Sequence, residues 1–321
     1  MNGLRLLVTG GAGFIGSNFI HYMLKKYPTY QIINVDKLTY AGNLNNLKDI
    51  EDDPRYMFIQ KDINFIYELF LPWYPDWVIN FAAHSHVDRS INESSVFVRS
   101  NYVGVQEILD WVLARKSEGK LVKILQIGTD EVYGDVTRGS SREFDLLIPS
   151  SPYSATKAAA DLLTQAYGRT HGIPYVISRS SNNYGPYQYP EKLIPLAITN
   201  ILQGKKVPIY GDGKQERDWI FVEDNCRALD LLIHKGMLGQ IYNIGTEKLV
   251  NNLTIIQEII RIMGQGEIEY VKDRPGHDRR YCINCEKLAS LENRKMLLLK
   301  EGLKKTVRWY IENEKWWRRL I

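Results

Sequence analysis

Apolar positions in the first half of the chain fall into short unbroken runs separated by longer stretches of helical spacing. Leu4 to Thr9 is continuously apolar, as expected of a strand buried on both faces. A helical pattern follows to about Lys26, and a second strand is predicted from Gln31 to Val35. Tyr56 to Gln60 and Trp77 to Phe81 read as strands three and four, and Leu121 to Ile127 as strand five. The longest predicted helix runs from Ser94 to Lys116, with Val98, Tyr102, Val105, Ile108, Leu109 and Val112 at its apolar positions. Strands alternating with helices predict an α/β fold built on a doubly wound parallel sheet. Phe221 to His234 and Gln240 to Ile244 read as a helix and a strand returning to that sheet. The expected division is therefore interleaved: 1–182 with 219–246 form the first domain, and 183–218 with 247–321 a smaller C-terminal one.

The first strand leads into Gly10-Gly11-Ala12-Gly13-Phe14-Ile15-Gly16, a G-x-x-G-x-x-G spacing of Gly10, Gly13 and Gly16 that opens a helix through Phe14 and Ile15. Glycines there make the tight turn, let backbone approach a pyrophosphate and bring helix close to strand. With Asp36 at the end of the second strand, about twenty residues on, this is the pattern of a dinucleotide-binding Rossmann domain. A carboxylate at that position binds ribose hydroxyls and repels a 2′-phosphate, so the expected cofactor is NAD rather than NADP. Asp62 follows the third strand, where it either meets the adenine or caps the next helix. Ala82 and Ala83 follow the fourth, small enough for close approach to a cofactor.

Tyr153 and Lys157 are four apart in an apolar-periodic run, so a helix sets them on one face. An ammonium beside a phenol favours the phenolate, making Tyr153 an expected base for a sugar hydroxyl. Upstream, Thr129-Asp130-Glu131 ends the fifth strand. Continued alternation would send the two acids to opposite faces, so the backbone is expected to turn there and direct both into a cleft.

Composition narrows the class. Hydrophobic residues make up 44% of the chain and charged residues 24%, the balance of a soluble enzyme. A net charge of +4 is dispersed except at Lys315 to Arg319, which favours a phosphate-bearing small molecule over nucleic acid. Cys226, Cys282 and Cys285 are too few for a disulfide framework, and Cys282-Ile283-Asn284-Cys285 has no second ligand pair, so no metal is expected. Met1 leads directly into a strand, and no membrane-spanning run follows, so the chain reads as cytoplasmic.

Several segments together carry a resemblance. Thr129-Asp130-Glu131-Val132-Tyr133-Gly134, Ser181-Asn182-Asn183-Tyr184-Gly185-Pro186 and Pro190-Glu191-Lys192-Leu193-Ile194-Pro195 are joined by Arg217-Asp218-Trp219 and by Asp273 to Arg280. With the glycine turn and Tyr-x-x-x-Lys, the chain resembles the extended short-chain dehydrogenases/reductases, and among them the dTDP-glucose 4,6-dehydratases. The resemblance implies NAD-dependent conversion of dTDP-glucose to dTDP-4-keto-6-deoxyglucose in deoxysugar biosynthesis, by a homodimer. It implies that Tyr153, with Thr129 and Lys157, takes the C4-hydroxyl proton while the C4 hydride leaves. Glu131 would then remove the C5 proton, and a protonated Asp130 would donate to the departing C6 hydroxyl. Ser85, Asn182, Glu191, Lys192, Arg217, Asn252 and Arg279 are the implied sugar-nucleotide contacts. Related readings are a sugar-nucleotide 4-epimerase, a dehydratase for another base, and a non-enzymatic dinucleotide-binding protein; the acid pair argues against the first and last. The chain departs from the family at His84, where glutamate is usual, at Gly128, where serine is common, and between Ala289 and Lys300, where Met296 to Leu299 replace a Gly-Trp-x-Pro pattern.

Overall fold

The computed structural model describes residues 3–292 and 295–321. Positions 1, 2, 293 and 294 lie outside the described residues, and with them Met1 and part of the 289–300 departure. In chain order the first elements are β1 (Arg5–Thr9), α1 (Phe14–Lys26), β2 (Gln31–Asp36), β3 (Tyr56–Gln60), β4 (Trp77–Asn80), α2 (Val87–Asn92), α3 (Ser94–Val98), α4 (Gly104–Ser117), β5 (Lys123–Thr129), α5 (Pro152–His171) and β6 (Tyr175–Ser180). Next come β7 (Asn182–Tyr184), α6 (Leu193–Leu202), β8 (Val207–Tyr210), β9 (Glu216–Phe221), α7 (Val222–Lys235) and β10 (Gln240–Ile244). The chain ends with β11 (Leu249–Asn251), α8 (Asn252–Met263), β12 (Ile268–Val271), α9 (Glu286–Leu291), α10 (Leu299–Glu312) and α11 (Glu314–Trp317).

Seven strands form one parallel sheet in the order β10-β6-β5-β4-β1-β2-β3. Both faces are covered, which is why its strands are apolar without alternation. Phe19, Ile20 and Met23 of α1 pack with Leu229 and Leu232 of α7 against one face. Val105, Ile108 and Val112 of α4 and Ala160 of α5 fill the other. Strand order reverses between β1 and β4, and a ligand crevice opens beyond the carboxyl ends at such a switch point. A third core belongs to the C-terminal part, where Ile198 of α6, Ile256 of α8 and Leu303 of α10 surround Tyr184 and Trp219. There β7 and β11 flank β9, and β12 pairs with β8. Trp317 is fully buried in this core. No helix among the described residues is long and apolar enough to cross a membrane.

Three local expectations are corrected. The helix expected from Ser94 to Lys116 is interrupted by a π-helical turn at Arg99–Val103. Its cause is Asn101, buried in that turn: its Oδ1 accepts the His84 N–H at 2.8 Å, and its Nδ2 donates to His84 O at 2.9 Å and to Thr156 Oγ1 at 3.1 Å. The extra residue per turn lets one side chain reach two neighbouring segments at once. Strand five starts later and runs on to Thr129, so Thr129 is a strand residue. Gly128 is not an incidental change either. A Cβ there would lie 2.5 Å from Ser178 O and 3.2 Å from Asp161 Oδ1, beside the buried Arg179–Asp161 ion pair.

Candidate active site

A cleft of about 560 Å³ opens at the carboxyl ends of the sheet. Its floor is the glycine turn. Gly10 has φ +70°, and a Cβ on it would meet Ala82 N at 2.5 Å; a Cβ on Gly16 would meet Gly10 O at 2.5 Å. Only glycine fits either place. Gly13, the N-cap of α1, brings no side-chain cap, so the first-turn N–H groups of the helix face the cleft as an anion cradle. Phe14 and Ile15 line the same floor. Asp36 ends β2 with Oδ2 accepting from Ala12 N at 2.9 Å and Oδ1 from Leu38 N at 2.8 Å. Burial raises its pKa, and the two N–H bonds oppose that rise. Asp62 caps the next turn, its Oδ1 accepting from Asn64 N at 3.0 Å, and it lines the cleft, paired with Lys37. Ala82 and Ser85 complete this wall. The glycine cradle, the uncapped helix start and the carboxylate at the end of β2 together fit a dinucleotide with free ribose hydroxyls.

Helix α5 is started by a reciprocal cap. Ser154 N donates to Ser151 Oγ at 3.1 Å and Ser151 N to Ser154 Oγ at 3.0 Å, with Pro152 in the first turn. This start fixes Tyr153 and Lys157, both buried and both lining the cleft. Lys157 Nζ donates to Ile127 O at 2.5 Å, and burial lowers its pKa to about 8 against the opposing pull of Asp161. The expected acidified phenol is overturned in this state. Burial, followed by the nearby Glu131, raises the Tyr153 pKa despite a hydrogen bond from Thr129, and Lys157 Nζ is directed to the Ile127 carbonyl. A phenol in this setting becomes a base only when a cation is brought close to it.

Beyond Thr129 the backbone turns into a 3₁₀ turn, Asp130–Tyr133, with the Thr129 hydroxyl accepting from Glu131 N at 3.3 Å. Asp130 Oδ2 and Glu131 Oε2 are buried without hydrogen-bond partners. Their electrostatics differ. Asp130 is raised well above the usual carboxylate range by burial, then by Glu131 and Asp218. Burial also raises Glu131, but Lys192, Arg274 and Arg217 pull it back. One acid is therefore held protonated beside another that ionises more readily.

The remaining residues come from the C-terminal part. Lys192 Nζ donates to Ser85 O at 2.8 Å across the cleft. Glu191 is held by Tyr40 and Arg89. Arg217 is buried, bonded to the carbonyls of Glu216 and Asp278 at 2.8 Å, with its guanidinium 4.0 Å from the Tyr281 ring centre. Asn182 and Asn252 each keep a buried Oδ1 without a partner. Arg279 is half exposed and paired with Asp212 at 2.7 and 3.0 Å; like Thr129, Asp130, Glu131, Asn182, Arg217 and Asn252, it is not among the residues lining the 560 Å³ cleft. Arg274, five residues earlier, acts on Glu131 together with Arg217 while bonding Asp88 at 2.8 Å. Arg274, Tyr281 and Asp218 were not singled out from the sequence, although Arg274 and Asp218 lie inside the quoted motifs. His84 has its ring centre 6.1 Å from that of Tyr40 and 5.6 Å from that of Phe97. Burial, Lys37 and Arg89 lower its pKa.

A doubly wound parallel sheet with a glycine cradle at its switch point and a Tyr-x-x-x-Lys helix alongside defines a short-chain dehydrogenase/reductase of the extended kind. More narrowly, the chain belongs to the GDP-mannose 4,6-dehydratase family, whose family model matches residues 7–306. It is 42% identical to a dTDP-glucose 4,6-dehydratase of Neisseria meningitidis, over 99% of this chain and 96% of that protein. Among solved structures, a dTDP-glucose 4,6-dehydratase of Streptomyces venezuelae with NAD bound is 42% identical, with a TM-score of 0.94 over 99% of this chain and 100% of that one. The Bacillus anthracis dTDP-glucose 4,6-dehydratase, also solved with NAD, is 45% identical with a TM-score of 0.91 at the same coverage.

Proposed function

We propose that this chain is an NAD-dependent dTDP-glucose 4,6-dehydratase, forming dTDP-4-keto-6-deoxyglucose for deoxysugar biosynthesis in the cytoplasm. The observation that carries the reading is the Asp130–Glu131 pair at the end of β5 beside the Tyr153–Lys157 helix, where Asp130 Oδ2 and Glu131 Oε2 are both buried without hydrogen-bond partners and burial raises both acids, Asp130 the more strongly. The relatives named above act on the same substrate. Gly10, Gly13, Gly16 and Asp36 hold the dinucleotide, with Asp62 and Ala82 towards its adenine and nicotinamide sides. Bound there, the nicotinamide ring takes the C4 hydride and returns it at C6, and its positive charge favours the Tyr153 phenolate.

Tyr153 removes the C4-hydroxyl proton, with Thr129 hydrogen-bonded to it and Lys157 on the same helix face. The C4 ketone acidifies the C5 hydrogen, and Glu131 removes that proton. Asp130, protonated, donates to the leaving C6 oxygen, so water departs with the Asp130 proton. Lys192, Arg217 and Arg274 gather positive charge around Glu131 and the sugar diphosphate; Asn182 and Asn252 offer unpaired acceptors to the substrate. Residues 1–182 and 219–246 serve the cofactor, and 183–218 and 247–321 the sugar nucleotide. The protein works as a homodimer through α3, α4 and α5, where Val96, Val98 and Leu162 are exposed. Light scattering at micromolar concentration tests this, and a monomer refutes it. The deciding experiment incubates purified protein with dTDP-, UDP- and GDP-hexoses and identifies products by mass and NMR. A 4-keto-6-deoxy product from dTDP-glucose is expected; a 4-epimer, or turnover only of another base, overturns the assignment.

A further inference from the structure

A buried arginine lies outside the cleft. Arg179 of β6 is 1% exposed, and its partner Asp161 on α5 is fully buried. Arg179 Nε donates to Asp161 Oδ2 at 2.8 Å. Its Nη1 donates to Tyr133 Oη at 2.8 Å and to Glu143 O at 3.2 Å, with the guanidinium 4.9 Å from the Tyr133 ring centre. Tyr133 Oη in turn donates to Asn243 Oδ1 at 2.8 Å. Asn243 of β10 donates its own N–H to Glu143 Oε1, and its Nδ2 to the carbonyls of Ser141 and Asn284. The bonds run without a break from α5 through β6 to the acid turn, and end on the edge strand of the sheet.

Both elements joined by Arg179 carry the proposed chemistry. Asp161 lies one turn beyond Lys157 on α5, and its charge opposes the fall in the Lys157 pKa that burial causes. Tyr133 closes the 3₁₀ turn that begins with Asp130 and Glu131. Asp130 Oδ2 and Glu131 Oε2 have no hydrogen-bond partners, so the place of each acid depends on the turn that carries it. Desolvating an ion pair is costly, and apolar residues of similar volume often serve stability as well or better. What they lack is direction. The guanidinium is a planar fork of donors, and two of its nitrogens here bind groups on two separate elements.

We propose that Arg179 is a positioning residue that holds the Tyr153–Lys157 helix and the Asp130–Glu131 turn in one register, through Asp161 on one side and Tyr133 on the other. This depends on the dehydratase reading, in which oxidation at C4 and elimination across C5 and C6 use different groups on neighbouring carbons of one sugar. Base and acids must then keep a fixed separation while the sugar stays in place, and a misplacement of about 1 Å costs roughly 10²-fold.

The test follows the two steps separately. When holoprotein is mixed with dTDP-glucose in a stopped-flow instrument, NADH appears as C4 is oxidised and disappears as the hydride returns at C6. Tyr133→Phe cuts the tie to the acid turn and spares the tie to α5. NADH should appear at close to the wild-type rate and disappear about tenfold or more slowly, with C5 exchange in deuterated water slowed alike. Arg179→Met combined with Asp161→Leu removes both ties without leaving a buried charge unpaired. Its thermal unfolding should be no easier than that of wild type, while both phases slow. If Tyr133→Phe changes the two rates by the same factor, or neither by more than about twofold, packing of Val132 with Ala158 sets the register and the proposal falls. It falls too if the double variant keeps both wild-type rates, whatever its stability; should that variant not fold, the rates of Tyr133→Phe decide. These failures leave the dehydratase reading standing; it falls instead if wild-type protein yields no 4-keto-6-deoxy product.

Discussion

Glu131→Gln separates the work of the two buried acids. The substitution keeps shape and removes only the capacity to take a proton. Glu131 Oε2 has no hydrogen-bond partner, so the amide forfeits no bond there. What it loses is the attraction of Lys192, Arg274 and Arg217. Burial outweighs that attraction and leaves the Glu131 pKa raised, so above the carboxylate range the neutral amide costs no folding stability and Tm should not fall. The chemical effect is far larger. A positioned base contributes about 10²–10⁴-fold, so C5 deprotonation slows by that factor, equivalent to about 3–5 kcal/mol of barrier. Oxidation at C4 depends on Tyr153 and survives. On mixing with dTDP-glucose in a stopped-flow instrument, bound NADH should accumulate at close to the wild-type rate while product formation stalls. In deuterated water the wild type places deuterium at C5, and the variant should not. Wild-type C5 exchange in Glu131→Gln, read by NMR, refutes its assignment as the C5 base.

Tyr153→Phe removes one hydroxyl from a ring packed edge-on against Phe97; NADH formation and product should both fall by about 10²-fold or more, and near-normal turnover would exclude Tyr153 as the base. Asp36→Ala should shed NAD during gel filtration and bind NADP with weakened discrimination, as measured by titration of both cofactors. Asp130→Asn mimics the neutral acid. Because the folded-state pKa of Asp130 is raised, the wild type is favoured below the unfolded carboxylate pKa of about 3.9 and loses that advantage as pH rises through the raised value. The variant should therefore gain stability relative to wild type as pH is raised above about 3.9 in denaturant titrations, while dehydration falls; a pH-independent difference contradicts a neutral Asp130.

Much of this site could be read from local pattern, because its parts are local. The cradle of Gly10, Gly13 and Gly16, the turn after Thr129 and the Tyr153–Lys157 face each depend on residues within a few positions of one another. What escaped the sequence depends on distant partners. The π turn exists because Asn101 reaches both His84 and Thr156, and no periodicity within Ser94 to Lys116 encodes that. Lys157 could be placed on the right face, but its bond to Ile127 O, thirty residues away, is not encoded in that spacing. Arg279 and Arg274 share one loop, where neither spacing of 3.6 nor of 2 says which side chain turns inward.

The position of β10 has a consequence for synthesis of the chain. Strand β6 is complete at Ser180, yet the neighbour that covers its outer edge does not begin until Gln240. In the interval the ribosome adds β7 to α7, and the nascent sheet displays an apolar strand with unpaired N–H and C=O groups. Helix α7, which covers one face of that sheet, is also still to come. A fragment ending near residue 182 thus carries the nucleotide cradle and the Tyr153 helix but has an open, adhesive border. Such a fragment is expected to aggregate or to recruit a chaperone, whereas a fragment extended through Ile244 covers β6 and leaves β10 as the edge strand, as in the full chain.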